Sequence, residues 1–482
     1  MAYKKYREMK VYEASGYQYK RTPSIVLKGQ WLSELGFDIG EQIVVKCEDG
    51  RLIITKANEI WSYKSHGKIL KKSIKNDKIF IDRIGGDEVK NLLQTREVKS
   101  GLISEHDITR LFDSDSCISY IHHDKYPLVI GPRMLLKVNT NIGVSDITNL
   151  EIELRKLKYL AGLKYAPDTM MDHTYVPVER PLWKYMVEEF QGPVGTLPHY
   201  STFDIDSGID GGRLLETIEE MAQGGVSFMT LHPTATVPLL EIAKKCRKIP
   251  TTSRGGALVL KDAILNNRNE NVFVDNFSDI LKLFKKYNMT LSVGTTFRPA
   301  CINEALDLVQ LEEIKEQKKY IDIAKANGVN VMMEGIGHIS LEMIPEYCKM
   351  INKYNTPLMP LGPMPTDATI GFDHVTAAIG ATVTALNGNV GVINSVTREE
   401  HTGNVPTDES IIEGLKTARV VAHSINVARF PKYREIDNAI AHNRANNRSC
   451  VIKGGIFADD TVSEDGAGCS RCRYECPLTI LS

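Results

Sequence analysis

The sequence predicts an α/β protein: a (β/α)8 TIM-type barrel, with a small β domain before it and a cysteine-bearing tail after it. Three observations carry that expectation. From about residue 131 short apolar runs alternate with amphipathic helical patterns. There are eight or so such units, the number that closes a parallel barrel. No GxGxxG opens a helix, so an open dinucleotide-binding sheet lacks its main support.

Composition sets the outer limits. The chain has 482 residues, 42% hydrophobic and 25% charged, with a net charge of −1. That is an ordinary globular balance, without the excess of one sign expected of a nucleic-acid binder. No apolar run approaches the roughly 20 residues a spanning helix needs, and the N-terminus lacks an apolar signal core, so no membrane association is expected. Six of the nine cysteines are scattered singly, which predicts a reducing, cytoplasmic setting.

Taken in order, residues 1–58 read as a separate small β domain. Apolar and polar residues alternate around the turn signals DIGE and EDGR, which predicts short strands and a hairpin. A modest excess of Lys and Arg leaves two uses open, oligomerisation or DNA binding. Residues 59–126 read as linker and partly helical sequence. The lysine-rich SYKSHGKILKKSIKNDK is expected to be solvated, and LISEHDITRLF to form a short helix.

The barrel is expected over 127–430. Its strand-like runs are LLKVNTNIG, DTMMDHT, GPVGTLPHY, VSFMTLHPT, KIPTTSRGG, MTLSVGTTFR, VNVMMEGIGH, TPLMPLGP and NVGVINSVTREEH. NLEIELRKLKYLAGL, RLLETIEEMAQ, FSDILKLFKKY and SLEMIPEYCKMINKY lie among them as helices. Residues 431–482 form a helical and tail segment.

The ends of the apolar runs hold the chemistry. They terminate in Asn141, Met171 with Asp172, Tyr200, His232, Ser253 with Arg254, Arg298, Glu334 with His338, and His401. In a (β/α)8 barrel such ends converge on one rim, where the active site lies. Arg254 followed by two glycines reads as an anion site, and Arg298 adds a second fixed charge, a pairing suited to a phosphorylated small substrate. Glu334 and two histidines are a possible divalent-metal set. His374 opens a helix and reads as a local polar contact. The tail CSRCRYEC gathers Cys469, Cys472 and Cys476, a set open to iron–sulfur or zinc readings; a structural zinc would need His442 or Cys450 as fourth ligand.

The motifs KVNTNIG, DTMMD, GTLPHY, TSRGG, FRPACI, VMMEGIGH and LGPMPTDATIGFDHVTAAIGA, followed by the cysteine triplet, resemble in content and order the ThiC family of phosphomethylpyrimidine synthases over roughly residues 127–478. The resemblance implies a radical S-adenosylmethionine (SAM) lyase. Members convert 5-aminoimidazole ribotide to 4-amino-5-hydroxymethyl-2-methylpyrimidine phosphate for thiamine, and paralogues form 5-hydroxybenzimidazole. It implies substrate contacts at Asn141, Met171, Tyr200, His232, Ser253, Arg254, Gly255, Arg298 and Glu334, with Glu334 and His232 also catalytic. It places a divalent metal, zinc or iron, on His338 and His401. It places a [4Fe–4S] cluster on Cys469, Cys472 and Cys476, whose open iron chelates SAM. It implies a homodimer and an electron donor such as flavodoxin or ferredoxin.

The first domain resembles SymE/AbrB-like β domains, which leaves a ThiC-like sensor with DNA-binding capacity as a reading of a different class. The chain departs from the family pattern in several places. The tail is CX2CX3C where CX4C is usual for the second gap. A carboxylate position of the rim is Thr295, EGPGH reads EGIGH, and a tyrosine position is Met359.

Overall fold

The computed structural model describes residues 117–447 continuously, short elements between residues 12 and 79, residue 99, and parts of the tail at 455–457, 471–472, 475–478 and 480. The chain forms two compact units, Met1–Gly85 and Gly86–Ser482.

In the first unit the strands pair antiparallel, Tyr12–Ser15 with Arg21–Ser24 and Ile43–Glu48 with Arg51–Lys56. The second pair flanks the EDGR signal, where Asp-Gly favours a tight hairpin turn. Pairing also runs through the lysine-rich stretch expected to be linker, Ser62–Ser65 with Lys68–Lys71 and Ile74–Lys75 with Lys78–Ile79. The helix expected at LISEHDITRLF lies outside the described residues.

The second unit is the barrel. Its strands are β1 (Lys137–Ile142), β2 (Thr169–Asp172), β3 (Val194–Thr196), β4 (Phe228–Leu231), β5 (Thr290–Val293), β6 (Asn330–His338), β7 (Leu358–Met364) and β8 (Val392–Asn394). All neighbours are parallel, from β7 through β1 to β8. The ring closes where β7 meets β8, through Leu358 N–H to Asn389 C=O (2.8 Å) and Gly391 N–H to Leu358 C=O (3.0 Å). β2, β3, β4 and β5 are buried at every position, which is why their sequences are apolar runs rather than alternations.

The helices are α1 (Leu150–Gly162), α2 (Leu182–Glu189), α3 (Gly211–Gln223), α4 (Val237–Cys246), α5 (Arg254–Leu265), α6 (Phe277–Lys286), α7 (Leu308–Ala326), α8 (Ile344–Ile351), α9 (Asp373–Asn387), α10 (Asp408–Arg429) and α11 (Arg434–Asn447). The expected run KIPTTSRGG is not a strand: Ser253 caps α5, and TSRGG forms the entry and first turn of that helix. A serine that accepts a backbone N–H, followed by residues free of β-branching, wins over the apolar start of the run.

Two apolar layers result. The larger packs the helices on the outside of the barrel. The smaller fills its interior with Met171, Tyr200, Phe228, Met332, Met359 and Val392, joined by Ile121 and Ile130. Those two isoleucines come from a hairpin, Ser119–Ile121 with Leu128–Ile130. The Thr290 hydroxyl donates to Tyr120 C=O (2.6 Å), and Tyr120 N–H donates to Asn330 Oδ1 (3.4 Å). Both partners start their strands, so the hairpin plugs the N-terminal mouth and leaves the C-terminal rim for chemistry.

At the same N-terminal end, Asp168 accepts from Val138 N–H (2.8 Å) and from Arg419 of α10 (2.6 Å). Burial works against its charge, but Arg419, Lys137 and the Val138 N–H outweigh it and hold the carboxyl below its usual range. Because the folded value lies below the unfolded one of about 3.9, this stabilisation is present at neutral pH and is lost as pH falls through the folded value. Asp168→Asn is expected to cost about 3 kcal/mol in denaturant unfolding at pH 7, and the variant should lose less further stability than wild type on acidification below about pH 4. Equal unfolding midpoints at neutral pH would show that the pair contributes nothing.

Candidate functional site

The C-terminal rim is assembled strand by strand. On β1, Asn139 sits below Asn141, and its amide donates to Asn141 Oδ1 and Asn394 Oδ1, both at 2.7 Å. Its own Oδ1 accepts from Thr169 (2.8 Å), so Asn141 is held by a fully used neighbour. On β2, Met171 points into the interior cluster. Asp172 accepts from Thr174 N–H (2.8 Å) and Trp183 N–H (2.9 Å), which fixes the chain as it leaves the strand.

After β3 a single helical turn, Pro198–Thr202, presents His199 and Tyr200. Burial pushes the Tyr200 phenol up to about 12, although Arg254 and Arg298 pull the other way; a backbone hydrogen bond from Gly255 reaches it. Directly after β4 comes His232, which is 2% exposed, with Nδ1 3.2 Å from the Thr296 hydroxyl. Burial, then His199, then Arg298 hold His232 well below the usual imidazole value, so it is neutral.

Two glycines make this packing possible. A Cβ on Gly255 would stand 2.6 Å from His232 Nε2 and 2.7 Å from His199 Nε2, and one on Gly294 would stand 2.7 Å from His232 Cε1. Gly255 belongs to the first turn of α5, whose cap is Ser253: its Oγ accepts from Gly256 N–H (3.1 Å). Arg254 is exposed, with its guanidinium 4.2 Å from the centre of the Tyr175 ring. A capped helix N-terminus with a stacked arginine is a ready anion site.

β5 and β6 complete the rim. Arg298 donates to Thr295 C=O (3.2 Å). Glu334 is 6% exposed; it accepts from the Thr230 hydroxyl (3.0 Å) and from Thr295 N–H (3.4 Å). Burial pushes its carboxyl up, opposed chiefly by Arg298. The Thr295 hydroxyl does not face the rim: it donates to the buried Glu313 of α7 (2.7 Å).

Beyond Glu334, His338 and His401 face each other, Nε2 to Nε2 at 3.3 Å. Each Nδ1 rests on a carboxylate, His338 on Asp367 and His401 on Asp373, both at 2.7 Å. Two nitrogens bound to one tetrahedral zinc at about 2.0–2.1 Å stand about 3.3 Å apart, and a carboxylate behind each imidazole is the usual outer support of a metal-bound histidine. The pair fits a divalent metal, although among the described residues no group of three or more His, Cys, Asp or Glu side chains converges as a ligand set.

Asn141, Met171 and Glu334 lie on strands, Tyr200, His232 and Arg298 lie just past strand ends, and Ser253, Arg254 and Gly255 lie at the entry of α5 rather than at the strand end expected for them, while His338 and His401 meet directly. His374 is nearly buried, with Nε2 3.8 Å from Glu413, consistent with a local polar role. In the tail Cys472 is exposed and Cys476 buried, on turns closed by Glu475 N–H to Cys472 C=O and Ile480 N–H to Cys476 C=O. Cys469 lies outside the described residues. Asp367, Asp373, His199, Thr230 and Glu313 went unassigned in the sequence; the first two stand inside the quoted motif PTDATIGFDH, which was the available signal.

A (β/α)8 barrel with an anion grip, neutral buried imidazoles and a protonatable carboxyl on its C-terminal rim defines an enzyme of the barrel class. Residues 112–482 match the radical SAM ThiC family, and the chain belongs to it. It is therefore a radical SAM enzyme of the lyase type, a family that works with a [4Fe–4S] cluster and SAM. Phosphomethylpyrimidine synthase 2 of Methanothermobacter thermautotrophicus is 34% identical over 382 residues, covering 75% of this chain and 89% of that protein. Phosphomethylpyrimidine synthase of Pyrococcus furiosus is 34% identical over 330 residues, covering 66% and 76%. Residues 2–56 match the SymE toxin family of type I toxin–antitoxin systems.

Glu313→Gln tests how the rim is held. The amide turns an NH2 toward donors that now find a carboxylate oxygen, and thermal or denaturant unfolding is expected to show a loss of about 3 kcal/mol. Wild-type stability in this variant would mean that the loops after β4 and β5 are held elsewhere.

Proposed function

We propose that this chain converts 5-aminoimidazole ribotide to 4-amino-5-hydroxymethyl-2-methylpyrimidine phosphate, as a radical SAM carbon–carbon lyase of thiamine biosynthesis. The observation that carries the reading is the single rim that joins the capped α5 N-terminus to His232, Arg298 and Glu334.

In this reading the first turn of α5, Arg254 and Arg298 grip the ribotide phosphate, because backbone N–H groups and guanidinium forks both suit a phosphoryl dianion. Tyr200, Met171 and Asn141 form the wall against which the base and sugar are oriented. His232, neutral and backed by Thr296, donates or accepts one hydrogen bond without carrying charge. Glu334, with its proton affinity raised by burial, holds or yields a proton at Oε1 or Oε2 beside the substrate. The buried apolar interior below excludes water from a reactive site.

Cys469, Cys472 and Cys476 would hold the [4Fe–4S] cluster, which would supply the electron for reductive cleavage of SAM. His338 and His401 would hold zinc or iron, which supplies a Lewis-acidic contact for a second polar group. Flavodoxin or ferredoxin as donor, a homodimer and a cytoplasmic location belong to the same reading. A second reading concerns the product. Thr295 spends its hydroxyl on Glu313 and offers no side-chain acceptor to the rim. That favours an altered outcome, such as 5-hydroxybenzimidazole from the same ribotide.

The test is anaerobic reconstitution with iron, sulfide, SAM, a reductant and the ribotide, followed by mass spectrometry. The pyrimidine phosphate and 5′-deoxyadenosine are expected. Glu334→Gln should lower turnover about 10²-fold or more, and Cys472→Ala should abolish SAM cleavage. A benzimidazole product would select the second reading, and a cluster-loaded protein inert toward the ribotide would sink both. For the first unit, DNA binding that weakens steeply with salt is expected of the full-length chain if that unit contacts phosphates; no binding at low salt leaves it an oligomerisation role.

A further inference from the structure

The backbone between Glu334 and His338 is held in an unusual way. Pairing of β6 with β7 runs regularly to Ile336 opposite Leu361, then jumps so that His338 faces Met364. Ile336 has φ +75° and Gly337 φ +101°. A positive φ is ordinary for glycine but unfavourable for a β-branched residue, and it persists only where the surroundings over-determine it.

Three contacts do so. Ile336 N–H donates to the hydroxyl of Tyr347 on α8 (3.1 Å), and Gln310 Nε2 donates to Ile336 C=O (3.4 Å). His338 N–H donates to Pro299 C=O (3.0 Å). Tyr347 is fully buried, and burial first of all pushes its phenol so far up that the hydroxyl stays neutral. Its approach depends on Gly335, where a Cβ would lie 1.9 Å from the Tyr347 oxygen.

We infer that Tyr347 is a positioning residue for His338. Its hydroxyl accepts the Ile336 N–H at a fully buried position. By holding Ile336 at positive φ it fixes the direction in which the chain delivers His338, two residues on, to face His401. The inference rests on the reading of His338 and His401 as a metal pair, and it adds that the strained turn, through a side chain remote from the metal, sets the spacing of the two imidazoles.

The test uses full-length protein and zinc alone, with affinity read by competition against a chromophoric chelator. Tyr347→Phe is expected to weaken zinc about 10- to 100-fold. Ile336→Gly keeps the N–H, the hydroxyl bond and an easy positive φ, and is expected to keep wild-type affinity. Because coupling is reciprocal, zinc should also slow hydrogen exchange of the Ile336 amide in wild-type protein. Wild type that takes up no zinc overturns the metal reading itself. Wild type and Tyr347→Phe that bind zinc equally overturn the positioning role, as does zinc uptake that leaves Ile336 exchange unchanged. The exchange measurement decides the matter even if the phenylalanine variant does not fold.

Discussion

One buried carboxylate organises the rim. Glu313 of α7, 1% exposed, accepts from the Thr234 hydroxyl (2.8 Å), the Thr295 hydroxyl (2.7 Å), Thr296 N–H (2.5 Å) and Phe297 N–H (2.8 Å). Burial pushes this carboxyl up, and the four donors pull it back. The donors come from the loops after β4 and β5, so a single side chain ties together the two segments that carry His232 and Arg298. Thr296 then reaches His232, and Thr295 N–H reaches Glu334. A buried anion with its acceptor sites filled is rigid, because any loop movement strands a donor away from water.

That rigidity is matched by a division of charge. The guanidinium groups of Arg254 and Arg298 supply the positive field, while the imidazoles among them stay neutral. Burial, then the arginines, bring His173 down to about 4, and burial with His173 brings His199 down to about 3. Both ring nitrogens of His199 are buried without a partner, a cost borne beside the site rather than in the core. Positive charge thus sits next to groups that bond without adding charge, and further along β6 His338 meets His401 from the loop after β8, each imidazole backed by a carboxylate.

Much of this was legible in the sequence because a parallel barrel strand is buried on both faces and so appears as an apolar run with a reactive residue at its end. Asn141, Glu334 and His401 stood out for that reason. KIPTTSRGG resembles a strand in sequence, and only the cap contact from Ser253 reveals a helix entry. Glu313 and Tyr347 are illegible for a different reason. Each lies on a helix after the strand it supports, and an ordinary Glu or Tyr carries no mark of its partner. The departures at Thr295 and Ile336 were visible as changes, but their meaning depends on Glu313 and Tyr347, which receive the hydroxyl of one and the N–H of the other.

The central claim is that radical chemistry on the ribotide occurs at this rim. It is tested most directly with ribotide deuterated on its ribose carbons, incubated anaerobically with the cluster-loaded enzyme and unlabelled SAM. A substrate held by α5, Arg298 and Glu334 should give up a hydrogen atom to the SAM-derived radical, so deuterium is expected in the 5′-deoxyadenosine, with the label lost when Arg298 is replaced by alanine. Unlabelled 5′-deoxyadenosine formed at the same rate with or without the ribotide would contradict the claim.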